Sequence, residues 1–154
     1  MKLGDILQPN AVKVLVGSNT KKRLFQDLGE LAEACYGLDT EQVVTALLER
    51  ESLGPTGVGH GVALPHARME GIDSVQGMFI RLEKPMDFEA IDRQPVDLVF
   101  ALLAPAHAGV DHLKALALVS RTMRDQNVLS KLRSNSDPAT LHTILTDAPA
   151  TQLA

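Results

Sequence analysis

Residues 50–68, RESLGPTGVGHGVALPHAR, limit the fold of this 154-residue chain more than any other stretch. They include Gly54, Gly57, Gly59 and Gly61 together with Pro55 and Pro65, a composition that rules out a helix and leaves room for only a brief strand. A tight loop is therefore expected. Glycines at alternate positions let several backbone N–H groups approach one ligand, and amides turned inward form a concavity suited to an anion such as phosphate. Residues 61–64 are a short apolar run closed by Pro65, which predicts that His66 sits where a strand leaves the sheet.

No Gly-Lys-Ser/Thr follows these glycines, and their spacing is not that of the dinucleotide fingerprint, so nucleotide binding is not indicated. What remains is a histidine beside a glycine-rich loop, flanked by Arg50 and Arg68. Imidazole is substantially neutral near pH 7 and nucleophilic, so it can take a phosphoryl group without a separate base. Read locally, the same histidine is equally at home as a partly exposed loop residue.

The motif formed by Arg50-Glu51, Thr56-Gly57, Gly59 and Leu64-Pro65-His66-Ala67-Arg68 resembles the signature of the enzyme IIA domains of the fructose/mannitol class of the bacterial phosphotransferase system. The resemblance extends to LGDIL at residues 3–7, TKKR at 20–23, FEAIDRQPVDLVFALL at 88–103, and His112-Leu113 with Leu116. It is narrowest toward the nitrogen-regulatory branch of that family. It implies a mixed sheet of about five strands flanked by helices on both faces, an α/β (α+β) sandwich. It implies phosphorylation of His66 by an HPr-like phosphocarrier, with His112 holding the phosphoryl group, and regulation of transporter or signalling proteins by phosphorylation state.

The other site expectations join chemistry to this likeness. Arg50 offers a planar fork of donors for phosphate oxygens, and it can also cap the preceding helix. Thr56 and the amides of Gly57 and Gly59 are expected to line the remaining side of the site. Arg68 is placed at the site or at a docking surface, and Glu51 in a structural hydrogen bond. His60 departs from the family, which has a small polar residue such as asparagine there. A second imidazole so close in sequence could perturb His66 or compete for phosphate. Asp92 and Asp97 are read as turn and network residues, and His107 and His142 as surface residues.

Periodicity along the chain predicts a first strand at residues 12–16, and a helix whose stripe is Leu24, Phe25, Leu28, Leu31, Ala32 and Cys35, capped by Asn19 or Thr20 and ended by Gly37. A second helix follows Asp39 and delivers Arg50 to the loop. Strands are expected at 75–82 and 96–103, separated by a polar excursion at 85–95. A helix at about 110–124 is expected to turn Leu113, Leu116, Ala117 and Ser120 to one side. A short helix around Val128, Leu129 and Leu132 and another opened by Asp137-Pro138 complete the chain, with fraying from Ala148.

At 45% apolar residues the chain can fill the core of one domain spanning residues 1–154, and no run is long enough to cross a bilayer. Residues 1–15 lack the order of a signal peptide, so a cytoplasmic location is expected. The net charge of −4, without a basic block or clustered aromatics, argues against nucleic-acid binding. Lys21-Lys22-Arg23 reads as a solvated first turn, Cys35 as a small buried residue, and no cofactor or metal is implied. A homodimer is an open possibility. Three alternatives compete: a sugar-specific IIA component passing phosphate to a separate IIB, a metal-dependent hydrolase using His60, His66, Asp111 and His112, and a binding module without phosphorylation.

Overall fold

The computed structural model describes residues 1–17 and 20–152, with side chains described through Asp147. Its elements run α1 (Leu3–Ile6), β1 (Leu7–Leu15), α2 (Lys21–Tyr36), α3 (Thr40–Ser52), β2 (Gly57–Gly59), β3 (Val62–Ala63), β4 (His66–Met69), β5 (Gln76–Met86), β6 (Val96–Pro105), α4 (Val110–Thr122), α5 (Gln126–Arg133) and α6 (Pro138–Gln152). Among the described residues, no helix is long and apolar enough to cross a membrane.

The sheet is mixed, as expected, and among the described residues its six strands fill five positions. Its order is β1-β5-β6-β3-β2, and β4 also pairs with β6. Both β3 and β4 run parallel to β6, at Leu98–Val99 and at Leu102–Pro105 respectively, so they are two pieces of one interrupted strand. Pro65 lies at the interruption, where it has no N–H to offer, and its carbonyl accepts from the Leu102 amide. His66 therefore begins a strand instead of sitting where one leaves the sheet.

β6 is buried along nearly its whole length, as a central strand covered on both faces must be. Phe79 and Phe100 face each other across β5 and β6 with ring centroids 6.1 Å apart, edge to face. The helices fall into two groups, α2 with α3 and α6 with α1, α4 and α5, within which the helices pack on each other. β1 is an edge strand, which lets it carry Pro9, and it starts before the predicted strand because Leu7 pairs with Gly77. β5 likewise runs on through Pro85 and Met86, leaving a shorter excursion.

Helix α2 follows its predicted stripe: Leu24, Phe25, Leu28, Leu31 and Ala32 are buried, and Cys35 is half-buried. Thr20 caps it by accepting from the Arg23 amide, while Asn19 lies outside the described residues. Asp39 caps α3 through the Gln42 amide, Asp125 caps α5, and Asp137 accepts from the amide and hydroxyl of Thr140 in α6. The fraying expected from Ala148 falls outside the described residues, except that the backbone of 148–152 is helical.

The side of α4 that carries Leu113, Leu116, Ala117 and Ser120 is not its core face. Leu113 and Ala117 are exposed, while His112, Ala115, Leu118, Val119 and Thr122 are buried. His142 is no plain surface residue either: its Nε2 lies 2.9 Å from the Leu7 carbonyl and ties α6 to β1. His107 is exposed, as expected.

Gly29 sets the approach of α2 to α3. A Cβ there would lie 2.9 Å from the Thr40 carbonyl oxygen and 2.8 Å from Val44 Cγ2. Helix propensity alone favours alanine by about 1 kcal/mol. Gly29→Ala is nevertheless expected to destabilise the protein by about 1–3 kcal/mol, because backbone cannot yield as a flexible side chain can. A lower urea midpoint with unchanged slope is the expected result.

Candidate functional site

Three elements converge on one surface pocket of about 410 Å³. α3 supplies Ala46, Glu49 and Arg50, β4 supplies His66, Ala67 and Arg68, and the first turn of α4 supplies His112. Leu53, in the turn after α3, completes the wall. The rings of His66 and His112 have centroids 5.8 Å apart and planes inclined at 54°.

His66 is half-buried, and its Nδ1 is 2.8 Å from the Leu64 carbonyl oxygen. A carbonyl oxygen can only accept, so Nδ1 carries the proton and donates it. In the neutral ring the lone pair is then on Nε2. His112 is only 6% exposed, and its Nδ1 is sealed without a hydrogen-bond partner. An unpartnered N–H in that position would be costly, so the ring's proton is assigned to Nε2. Burial, the neighbouring His66 ring and the Arg68 cation all hold His112 below the usual histidine range.

Arg50 stands in the last turn of α3, where its charge complements the helix end, and its Nη1 donates to the Gly54 carbonyl at 3.1 Å. Both roles expected of it are thus available from one place. Arg68 is exposed at the rim of the pocket.

The structure does not bring Thr56, Gly57 and Gly59 into this pocket. The amide and hydroxyl of Thr56 both donate to Glu51, at 3.0 and 2.6 Å, so its donors are already engaged. Gly57 is packed under the 87–95 segment, where a Cβ would lie 2.9 Å from Ala90 Cα. Its carbonyl accepts from the Ile91 amide. Gly59 lies by Asp92, in a hairpin formed by β2 and β3. The glycines therefore serve strand pairing and close packing, and they do not line the His66 pocket.

His60 and Gly61 form the two-residue turn of that hairpin, with φ of 57° and 78°. Two successive positive φ values suit asparagine or glycine, and histidine is among the side chains that tolerate them. His60 is fixed by its own backbone: its amide donates to Asp92 Oδ2, and its carbonyl accepts from Arg133 Nη2. It does not line the His66 pocket. The Gln94 and His60 amides hold the Asp92 carboxyl below the usual range, and Asp97 pairs with Arg133 at 2.9 Å, so both are the turn and network residues expected. Among the described residues, no three His, Cys, Asp or Glu side chains converge to hold a metal ion.

Two features escaped sequence reading. Leu53 is 83% exposed although it is a large apolar side chain, and Val110 and Leu113 are exposed in the same turn of α4 as His112. Lys21 is the other: its Nζ is 2.8 Å from Glu51 Oε2, so it is not merely a solvated residue. Glu51 itself has the structural role expected. The Ser52-Leu53-Gly54-Pro55 turn signal marks Leu53 as surface, while nothing local pairs Lys21 with a residue thirty positions away.

The lowered His112 pKa has a stability consequence. In the unfolded chain the ring takes up a proton near pH ~6.5, whereas in the fold it resists protonation. Its contribution is therefore fully present above that pH and is lost as pH falls through the depressed folded value. Ring-proton NMR should show His112 titrating below the reference value, and His112→Gln should flatten the fall in stability below about pH 6.5.

Residues 5–148 match the family described as phosphoenolpyruvate-dependent sugar phosphotransferase system, EIIA 2. The chain is 44% identical over 151 residues to the nitrogen regulatory protein of Bradyrhizobium diazoefficiens, covering 98% of this chain and 99% of that one. It is 38% identical over 153 residues to the nitrogen regulatory protein of Escherichia coli, covering 98% and 93%. The crystal structure of nitrogen regulatory protein IIA-Ntr from Neisseria meningitidis superposes with a TM-score of 0.86 at 37% identity, over 94% of this chain and 99% of that one. With the mixed sheet and the paired histidines in place, the chain belongs to the EIIA 2 family of the phosphoenolpyruvate-dependent phosphotransferase system.

Proposed function

We propose that this protein is a nitrogen-regulatory phosphoryl acceptor, phosphorylated on His66 by an HPr-like carrier and binding regulated partners according to its phosphorylation state. The observation that carries this reading is the orientation of His66, whose Nδ1 is engaged by the Leu64 carbonyl while the ring lies in a pocket shared with Arg50, Arg68 and His112.

Transfer breaks the phosphorus–nitrogen bond of the carrier's phosphohistidine and forms one to His66 Nε2. The carrier's imidazole leaves with the bonding pair, and the His66 Nδ1 proton stays where it is. The acceptor and donor are the same kind of group, so little driving force or proton transfer is needed, and alignment with charge stabilisation dominates. His112, held toward its neutral form, offers an N–H to a phosphoryl oxygen. Arg50 and Arg68 supply charge on the other sides.

The apolar rim of Leu53, Val110 and Leu113 suits burial under a docked protein. Phosphorylation places a dianionic group beside that rim, so a partner that fits the neutral pocket meets an unpaired charge when the phosphoryl group is present. This reading puts the protein in the cytoplasm, beside the carrier and the transporters or signalling proteins it would regulate.

Incubation with phosphoenolpyruvate, an enzyme I-type kinase and the HPr-like carrier should add one acid-labile phosphoryl group by intact mass. His66→Gln should abolish the addition, and His112→Gln and Arg50→Ala should slow it about 10- to 100-fold. A full-rate signal in His66→Gln would refute the assignment.

A further inference from the structure

We propose that Lys21 is a positioning residue for phosphoryl transfer, acting through Glu51 on the 53–56 turn and so on the Arg50 guanidinium. This rests on His66 being the acceptor. Lys21 is the first residue of α2, where the positive end of the helix opposes a cation. It is held there by Glu51 at 2.8 Å, by the face of the Phe88 ring at 4.6 Å, and by Glu89 at 3.8 Å. Phe88 is fully buried, so the ammonium has a fixed floor.

Glu51 has a side chain only 7% exposed, and it uses both oxygens. Oε2 accepts from Lys21 and from the Thr56 amide, while Oε1 accepts from the Thr56 hydroxyl. These bonds clamp the last turn of α3 to Thr56 and fix the turn between them. Inside that turn is Gly54, whose carbonyl receives Arg50 Nη1. The chain of contacts thus runs Lys21, Glu51, Thr56, Gly54, Arg50, ending in the His66 pocket.

Removing the ammonium leaves a nearly buried carboxylate without its cation, and that is relieved by opening the turn to water. Gly54 then moves, and the guanidinium loses its anchor. A displacement on the order of 1 Å in a charge-stabilising group is enough to slow a reaction that depends on alignment.

The test measures transfer from the phosphorylated HPr-like carrier at increasing carrier concentration, by rapid quench and intact mass, for wild type, Lys21→Met, Lys21→Arg, Arg50→Ala and the Lys21→Met/Arg50→Ala double variant. Lys21→Met should lower the limiting rate about tenfold at an unchanged half-saturating carrier concentration, and Lys21→Arg should retain most of the rate. In the Arg50→Ala background, Lys21→Met should cost less than about twofold more, since its effect passes through the missing guanidinium. A merely structural lysine would lower thermal stability without this non-additivity.

An unchanged limiting rate, a rise in half-saturating concentration alone, or a full tenfold loss in the Arg50→Ala background would overturn the proposal. Should Lys21→Met not fold, Glu51→Gln, which removes the charge and keeps the volume, takes its place in the same comparison. Failure of wild type to accept a phosphoryl group at all would instead sink the proposed function on which this inference rests.

Discussion

A carbonyl oxygen carries no proton, so the 2.8 Å contact between Leu64 O and His66 Nδ1 fixes which ring nitrogen is bare. That contact exists because the strand beside β6 is broken. Pro65 cannot donate to a ladder, and β3 ends before it while β4 resumes after it. His66 can therefore fold its ring back to the carbonyl two residues earlier while its backbone is already in register with Leu102. The rest of the site takes its place around that ring.

The central strand does the long-range work. β6 pairs with β5 on one edge and with β3 and β4 on the other. It then leads into α4, whose first turn carries His112 across to His66. His112 is buried without a partner for Nδ1, a local cost that the core residues on the same face of α4 offset. Arg50 arrives from the other helix group, at the end of α3. Parts of the site thus come from both helix groups, and each is held by a contact of its own: Leu64 O for His66, the α4 core face for His112 and Gly54 O for Arg50.

Much of this framework could be read from the sequence where one local rule was enough. The stripe of α2, the caps at Thr20, Asp39 and Asp137, and the buried run of β6 each follow from spacing or from one side chain. The pairing of His66 with His112 came from family resemblance, because residues 46 positions apart show no local signal of contact. Loop function was harder. Alternating glycines suggested an amide cup, but the same pattern is what a hairpin with a two-residue positive-φ turn and a close neighbour at Ala90 requires. The core face of α4 was not legible for a related reason. Leu113 looks like core by residue type, whereas it is exposed in the same turn as the buried His112.

The most direct test of the central claim is nitrogen-15 and phosphorus-31 NMR of the phosphorylated protein, which distinguishes the two ring nitrogens of His66. The account predicts a phosphoryl group on Nε2, with Nδ1 still protonated and hydrogen-bonded to the Leu64 carbonyl. Phosphorylation on Nδ1 would contradict it, since that nitrogen could then no longer donate the bond around which the site is built.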